Sequence, residues 1–148
     1  MKLIMIIATG FYSGYLPKAP GTWGSAVGLA IYYLLHGFAL PVYLLAVAIV
    51  IVVGIFAAGS AEKILDQKDP GPIVIDEIAG MLITLIAAPP YIWAWILGFF
   101  IFRFFDIIKP FPVRWIDQNI NGGVGIMMDD VAAGIYSFLV LQTVVFFI

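Results

Sequence analysis

The sequence contains no cysteine, which removes disulfides, thiolate metal sites and cysteine nucleophiles together. Histidine occurs once, as His36. Charged residues make up only 11% of the chain and apolar ones 64%, against about 25% and about 45–50% in ordinary soluble domains. No basic run is present and the net charge is −2, so nucleic acid is excluded as a partner. What is there is apolar: 148 residues with a mean hydropathy of +1.10. This describes an integral membrane protein, all-α, with length for one compact bundle and a single domain over residues 1–148.

Proline, glycine and charge divide the apolar runs. Residues 1–10 carry an apolar stretch at the lower limit for a signal-peptide core of roughly 7–15 residues. No small-x-small cleavage site follows, so a short membrane-embedded or surface helix is expected. Residues 11–25, FYSGYLPKAPGTWGS, are rich in Gly and Pro and read as a loop, with Thr22 or Ser25 capping the next helix. Apolar segments follow at 26–40, at 42–61, from 78 to Pro89-Pro90, from 91 to 109, and at 131–148. The expected architecture is a bundle of about five membrane-embedded helices. Segment 42–61 is the clearest crossing, and Gly54 and Ala58 on it are spaced for close helix packing. The segment after Glu77 has only about 12 residues, roughly 18 Å of helix, against a hydrocarbon core of roughly 30 Å. It must start deep, tilt or be shielded by its neighbours. A short amphipathic piece around Arg114-Trp115-Ile116-Asp117 precedes a Gly122-Gly123 turn, and Asp129-Asp130 open the last helix.

All seven basic and nine acidic residues fall on one side of this arrangement. The connections at 37–41 and 89–91 carry none. Lys and Arg mark the cytoplasmic side of a bilayer, so the charged loops are expected in the cytoplasm. His36 falls on the far face, which disfavours a phospho-histidine mechanism. An aspartyl-phosphate mechanism usually shows D-x-D-x-T, and that pattern is absent.

Four pieces converge on the charged side: Lys18 with the Gly21–Gly24 stretch, Asp76-Glu77, the Arg103/Asp106/Lys109 face, and Asp129-Asp130. Carboxylates gathered there repel one another unless neutralised, and Mg²⁺ is a hard cation suited to them. Metal-activated water then attacks phosphorus while Arg and Lys stabilise the transferring group. Each pair also has a plainer account. Asp129-Asp130 as a helix cap contributes about 0.3–1 kcal/mol, Asp76-Glu77 is a second such cap, and Arg103 with Asp106 is an i, i+3 pair of about a few tenths. Three helix ends presenting acids at one depth favour a shared site. Lys63, Asp66, Lys68 and Asp69 read as a solvated loop. Two other classes bear on the same residues. A small cation transporter needs acids deeper in the spans or open to both faces. A CDP-alcohol phosphotransferase needs a D-x₂-D-G-x₂-A-R run with a later D-x₃-D, which the sequence lacks.

The charged motifs are Lys18-Ala-Pro-Gly-Thr-Trp-Gly-Ser25, Asp76-Glu77-x-x-Gly80, Arg103-Phe-Phe-Asp106-Ile-Ile-Lys109-Pro110-Phe-Pro112, and Gly122-Gly-x-Gly125-Ile-Met-x-Asp129-Asp130-x-x-Ala133-Gly134-x-Tyr136. In these the sequence resembles the phosphatidylglycerophosphatase A family over essentially its whole length. The resemblance implies a bacterial inner-membrane enzyme that uses Mg²⁺ to convert phosphatidylglycerophosphate to phosphatidylglycerol. Glu77, Asp129 and Asp130 are then the first expected metal ligands, with Asp76 and Asp106 next. One acid, Asp76 or Asp106, orients or deprotonates the attacking water. Arg103, Lys109 and Lys18 hold phosphate, aided by Gly21, Thr22, Trp23 and Gly24.

Overall fold

The computed structural model describes residues 1–148 and places seven α-helices, and no strand, between the prolines and glycines. A short α1 (Lys2–Ala8) and a 3₁₀ turn (Ser13–Tyr15) lead into α2 (Pro20–Leu35) and α3 (Leu40–Leu65). After these come α4 (Ile75–Thr84), α5 (Ile92–Ile108), α6 (Val113–Asn119) and α7 (Gly122–Phe147).

The chain is organised around its shortest bundle helix. Every residue of α4 except Glu77 is buried, and α2, α3, α5 and α7 surround it. Its ten residues give about 15 Å, half the depth of a hydrocarbon core. Of the three ways such a helix can be accommodated, shielding by longer neighbours is the one adopted. Beyond Thr84 the backbone leaves helical geometry through residues 85–90. Non-helical backbone in an apolar surround needs partners for its carbonyls. Each surrounding helix supplies one donor, to the last turn of α4 or to the non-helical stretch beyond it. Tyr43 of α3 donates to the Leu82 carbonyl, and Gln142 of α7 donates to that of Ile86 at 2.9 Å. Tyr32 of α2 donates to Ala88 at 3.4 Å, and the Trp95 indole of α5 to Pro89 at 2.9 Å.

Small residues set the closest helix contacts. Met127 of α7 fills the space above Gly54, and Gly123 lies against the Ile55 carbonyl. This is the packing that the Gly54/Ala58 spacing implies. Between α4 and α7, a Cβ on Gly134 would stand 2.8 Å from the Gly80 carbonyl, and one on Gly80 would stand 3.0 Å from that of Asp130.

Two helices begin earlier than expected. α2 starts at Pro20, inside the stretch read as a loop, because proline suits the first helical position. Neither Thr22 nor Ser25 caps it; the Ser25 hydroxyl donates back to the Gly21 carbonyl at 2.7 Å. α7 starts at Gly122 rather than at 131. Glycine has poor helix propensity, but Gly123 and Gly125 sit where backbone carbonyls of Ile55 and Ile120 leave no room for a side chain.

Two helices, not five, have the length and apolarity for a full crossing: α3 and α7, 26 residues each. Only 22% and 28% of their most apolar windows are buried, unlike the core helix of a soluble protein. Leu45, Ile49, Val52 and Phe56 leave an apolar face of α3 uncovered.

The four side-chain donors yield a first prediction. Gln142→Leu leaves the Ile86 carbonyl unpaired and lowers stability by about 1 kcal/mol, measured by denaturant unfolding in detergent micelles. Unchanged stability would show that the turn after α4 does not depend on this bond.

Candidate active site

Five carboxylates meet where α2 and α4 begin and α5 ends. Asp76 and Glu77 occupy the first turn of α4, where the helix dipole favours negative charge. Asp106 lies in the last turn of α5. Asp129 and Asp130 come about two turns into α7. Neither acidic pair is a cap: Val74 and Asn121 take those positions. Because α7 is already helical from Gly122, Asp129 and Asp130 are directed into the bundle and both are buried. One carboxylate oxygen each from Asp76, Asp129 and Asp130 lie within 4.8 Å of one another, as do those of Glu77, Asp106 and Asp130.

Two cations lie against this cluster. Lys109 ends α5 in a left-handed conformation, with φ of 52°. Its Nζ donates to Asp129 Oδ2 at 2.9 Å and stands 3.4 Å from Asp117 Oδ1. Burial alone would lower its pKa, but Asp129 and Asp117 outweigh that and hold it above the ordinary lysine value. The ion pair of Arg103 with Asp106 is present as the i, i+3 spacing implies. Its Nε is buried without a partner.

The cluster lines a cavity of about 170 Å³ in which Ile73 is the single hydrophobic residue. Asp76 Oδ1, Glu77 Oε2 and Asp130 Oδ2 are buried with no hydrogen-bond partner. Leaving carboxylate oxygens in that state is costly. A hard divalent cation accepts such oxygens directly, so the residues present fit one.

Asp76, Glu77, Asp106, Lys109, Asp129, Asp130 and Gly21 line this one cavity. Gly21 is there because a Cβ would stand 2.7 Å from Glu77 Oε1 and 2.8 Å from Arg103 Nη1. That contact also places Arg103 beside the cluster. Others of the α2 stretch do not join it. Lys18 is exposed and unpaired, Trp23 is 46% exposed, and Gly24 packs on Val74. Thr22 is half-buried in the first turn of α2 and does not line the cavity. Conversely, Asp69 belongs to the cavity wall with Pro70 and Gly71, although its loop reads as solvated. The Asp-Pro-Gly-Pro turn four residues before Asp76 was the available signal, since it folds the loop back onto the helix start. Asp117 of α6, the second partner of Lys109, sits in the amphipathic piece after the prolines, among the scarce charges of residues 103–130.

A strongly apolar helical bundle, with a buried polycarboxylate centre and two basic groups at one end, defines a class: a membrane protein built around an acid-rich centre. The family model described as phosphatidylglycerophosphatase A matches residues 6–145. Phosphatidylglycerophosphatase A of Escherichia coli K12 is 43% identical over 133 residues, covering 89% of this chain and 77% of that protein. Its Haemophilus influenzae counterpart is 41% identical over 140 residues, covering 93% and 86%. A Bacteroides thetaiotaomicron protein, named provisionally as a phosphatidylinositol-3-phosphatase, is 43% identical over 147 residues, covering 94% and 91%. No solved structure matches. The chain belongs to the phosphatidylglycerophosphatase A family and is a phosphatase. The cation-transporter reading finds no support, since all five acids gather at one end of the bundle.

Lys109 yields the prediction here. Lys109→Met leaves Asp129 buried without a cation and destabilises the fold by about 1–3 kcal/mol, discounted for the partial exposure of the lysine. Its folded pKa is raised, so the contribution is fully present below the unfolded value of about 10.4 and is lost as pH rises through the folded one. Unfolding midpoints of wild type and variant should differ at pH 7 and converge only in strong alkali. Equal midpoints at pH 7 would remove Lys109 from the account.

Proposed function

We propose that this protein hydrolyses the terminal phosphate of phosphatidylglycerophosphate, giving phosphatidylglycerol and inorganic phosphate, with Mg²⁺ held by Asp76, Glu77, Asp129 and Asp130. The observation that carries this is the cluster of buried, unpartnered carboxylate oxygens beside Arg103 and Lys109, in a chain of this family. The proposed setting is the bacterial inner membrane. About five helices are embedded there, and the charged end of the bundle faces the cytoplasm, as the placement of Lys and Arg favours.

When bound, Mg²⁺ would offset part of the carboxylate charge and would lower the pKa of a coordinated water. The chain's own groups supply the rest. Arg103 is anchored through Asp106 and keeps its Nε free for a phosphate oxygen, a charge-assisted bond that strengthens as negative charge builds. The Gly21 N–H, in the first turn of α2, has no backbone partner and adds a second donor of the kind helix starts offer to anions. Asp76, holding the metal through one carboxylate oxygen, takes the proton of the attacking water with the other. Lys109 stays protonated and works by charge rather than by proton transfer.

The lipid reaches this centre from the side of α6. A cavity of about 520 Å³, lined by Phe111, Arg114 and Trp115 among others, shares Lys109 with the carboxylate cavity. Phe111 and Trp115 are exposed at 76% and 51%, and such aromatic groups settle at the headgroup level of a bilayer. Acyl chains can then remain in the leaflet while the terminal phosphate enters the cluster.

The test is phosphate release by purified protein in mixed micelles. Phosphatidylglycerophosphate should be turned over faster than phosphatidylinositol 3-phosphate, the lipid that the name of the Bacteroides relative points to. EDTA should abolish release and Mg²⁺ restore it. Asp130→Asn should lower turnover by more than about a hundredfold, the upper range for outer-shell metal partners, with helix content retained. Release insensitive to EDTA would reject the metal assignment, and a preference for the inositol lipid would reject the headgroup assignment.

A further inference from the structure

We propose that the carboxylate centre binds two divalent cations, with Asp130 shared between them. The inference rests on the metal-dependent reading above and assigns its residues to two half-sites.

The carboxylates form two triads that have only Asp130 in common: Asp76 with Asp129, and Glu77 with Asp106. Each triad has an orphaned buried oxygen of its own, Asp76 Oδ1 in one and Glu77 Oε2 in the other. Asp130 contributes a third, Oδ2, and is only 2% exposed, while Asp76 is 7% exposed. A carboxylate has about four lone-pair positions over two oxygens, so Asp130 has capacity for two ions. The basic residues divide in the same way. Lys109 pairs with Asp129 of the first triad, and Arg103 with Asp106 of the second. Each half-site is therefore three carboxylates, one of them shared, backed by one fixed cation.

Charge separates one ion from two. The cavity holds six carboxylates, Asp69 with the five of the two triads, and when ionised they leave four negative charges uncompensated against Lys109 and Arg103. A single divalent ion would leave two, facing a phosphate monoester that is itself anionic. Like charges close together in a partly buried site repel strongly. With two divalent ions the centre carries no net charge and no longer repels the phosphate. Paired ions also suit phosphoryl transfer, where one oxygen enters as another leaves.

The experiment titrates the full-length protein in detergent micelles with Mn²⁺, the paramagnetic substitute for Mg²⁺, and follows binding by electron paramagnetic resonance. Two Mn²⁺ per chain with a spin-coupled spectrum is the expected result. Asp106→Asn and Asp76→Asn should each reduce this to one uncoupled Mn²⁺ from opposite half-sites, and Asp130→Asn should abolish the coupling. One uncoupled Mn²⁺ in the wild type, with phosphate still released, overturns the shared centre and leaves metal-dependent hydrolysis intact. No Mn²⁺ bound at all overturns both. The wild-type stoichiometry decides even where a variant fails to fold.

Discussion

The contact between α4 and α7 across Gly80 and Gly134 is the constraint on which the rest of the structure depends. A helix positions residues four apart on one face. Asp76 precedes Gly80 by four residues, and Asp130 precedes Gly134 by the same interval. Wherever the two glycines meet, the two acids are therefore delivered to each other one turn away. The Gly80 carbonyl and the backbone of Gly134 approach so closely that a Cβ on the latter would stand 2.8 Å away. Each glycine costs about 1 kcal/mol of helix propensity relative to alanine. That cost is met by packing, and the return is a cluster of acids that no pair of ordinarily spaced helices would bring so close.

The half-length of α4 follows from the same geometry. Stopping at Thr84 lets the turn of residues 85–90 fill the other half of the interior, with carbonyls of the turn taken up by Gln142, Tyr32 and Trp95 and that of Leu82 in the last turn of α4 by Tyr43. The acids thus begin a helix already enclosed by α2, α3, α5 and α7. Enclosure makes the centre strongly electrostatic, because charge in a low-dielectric surround is expensive to leave unpaired. Polar satisfaction at one end of α4 and its deliberate lack at the other are two sides of one arrangement.

Much of this was legible in the chain. Composition and the spacing of apolar runs located α3 and α5 closely, and the small residues on α3 marked its contact with α7. The acids and both site cations stood out because charge is so scarce here. Glycine was the point of failure. Gly123 and Gly21 lie in stretches that read locally as turn and loop, yet in the fold they are helical positions where a neighbouring backbone or side chain leaves no room for Cβ. Sequence gives a glycine's permissiveness but not the reason for it. That ambiguity moved the start of α7 by nine residues and set Asp129 and Asp130 at the mouth of the helix instead of two turns inside it. Asp69 failed for a related reason: a polar loop looks solvated until its turn is known to fold back. Lys18, scarce and therefore conspicuous, lies exposed outside the cavity.

Anomalous diffraction from crystals grown with Mn²⁺ tests the central claim most directly. The account predicts anomalous density inside the cavity, enclosed by carboxylate oxygens of α4, α5 and α7, with α4 and α7 in contact through Gly80 and Gly134. Mn²⁺ bound elsewhere with this cavity empty of it, or α4 and α7 splayed so that Asp76 and Asp130 do not meet, would contradict it.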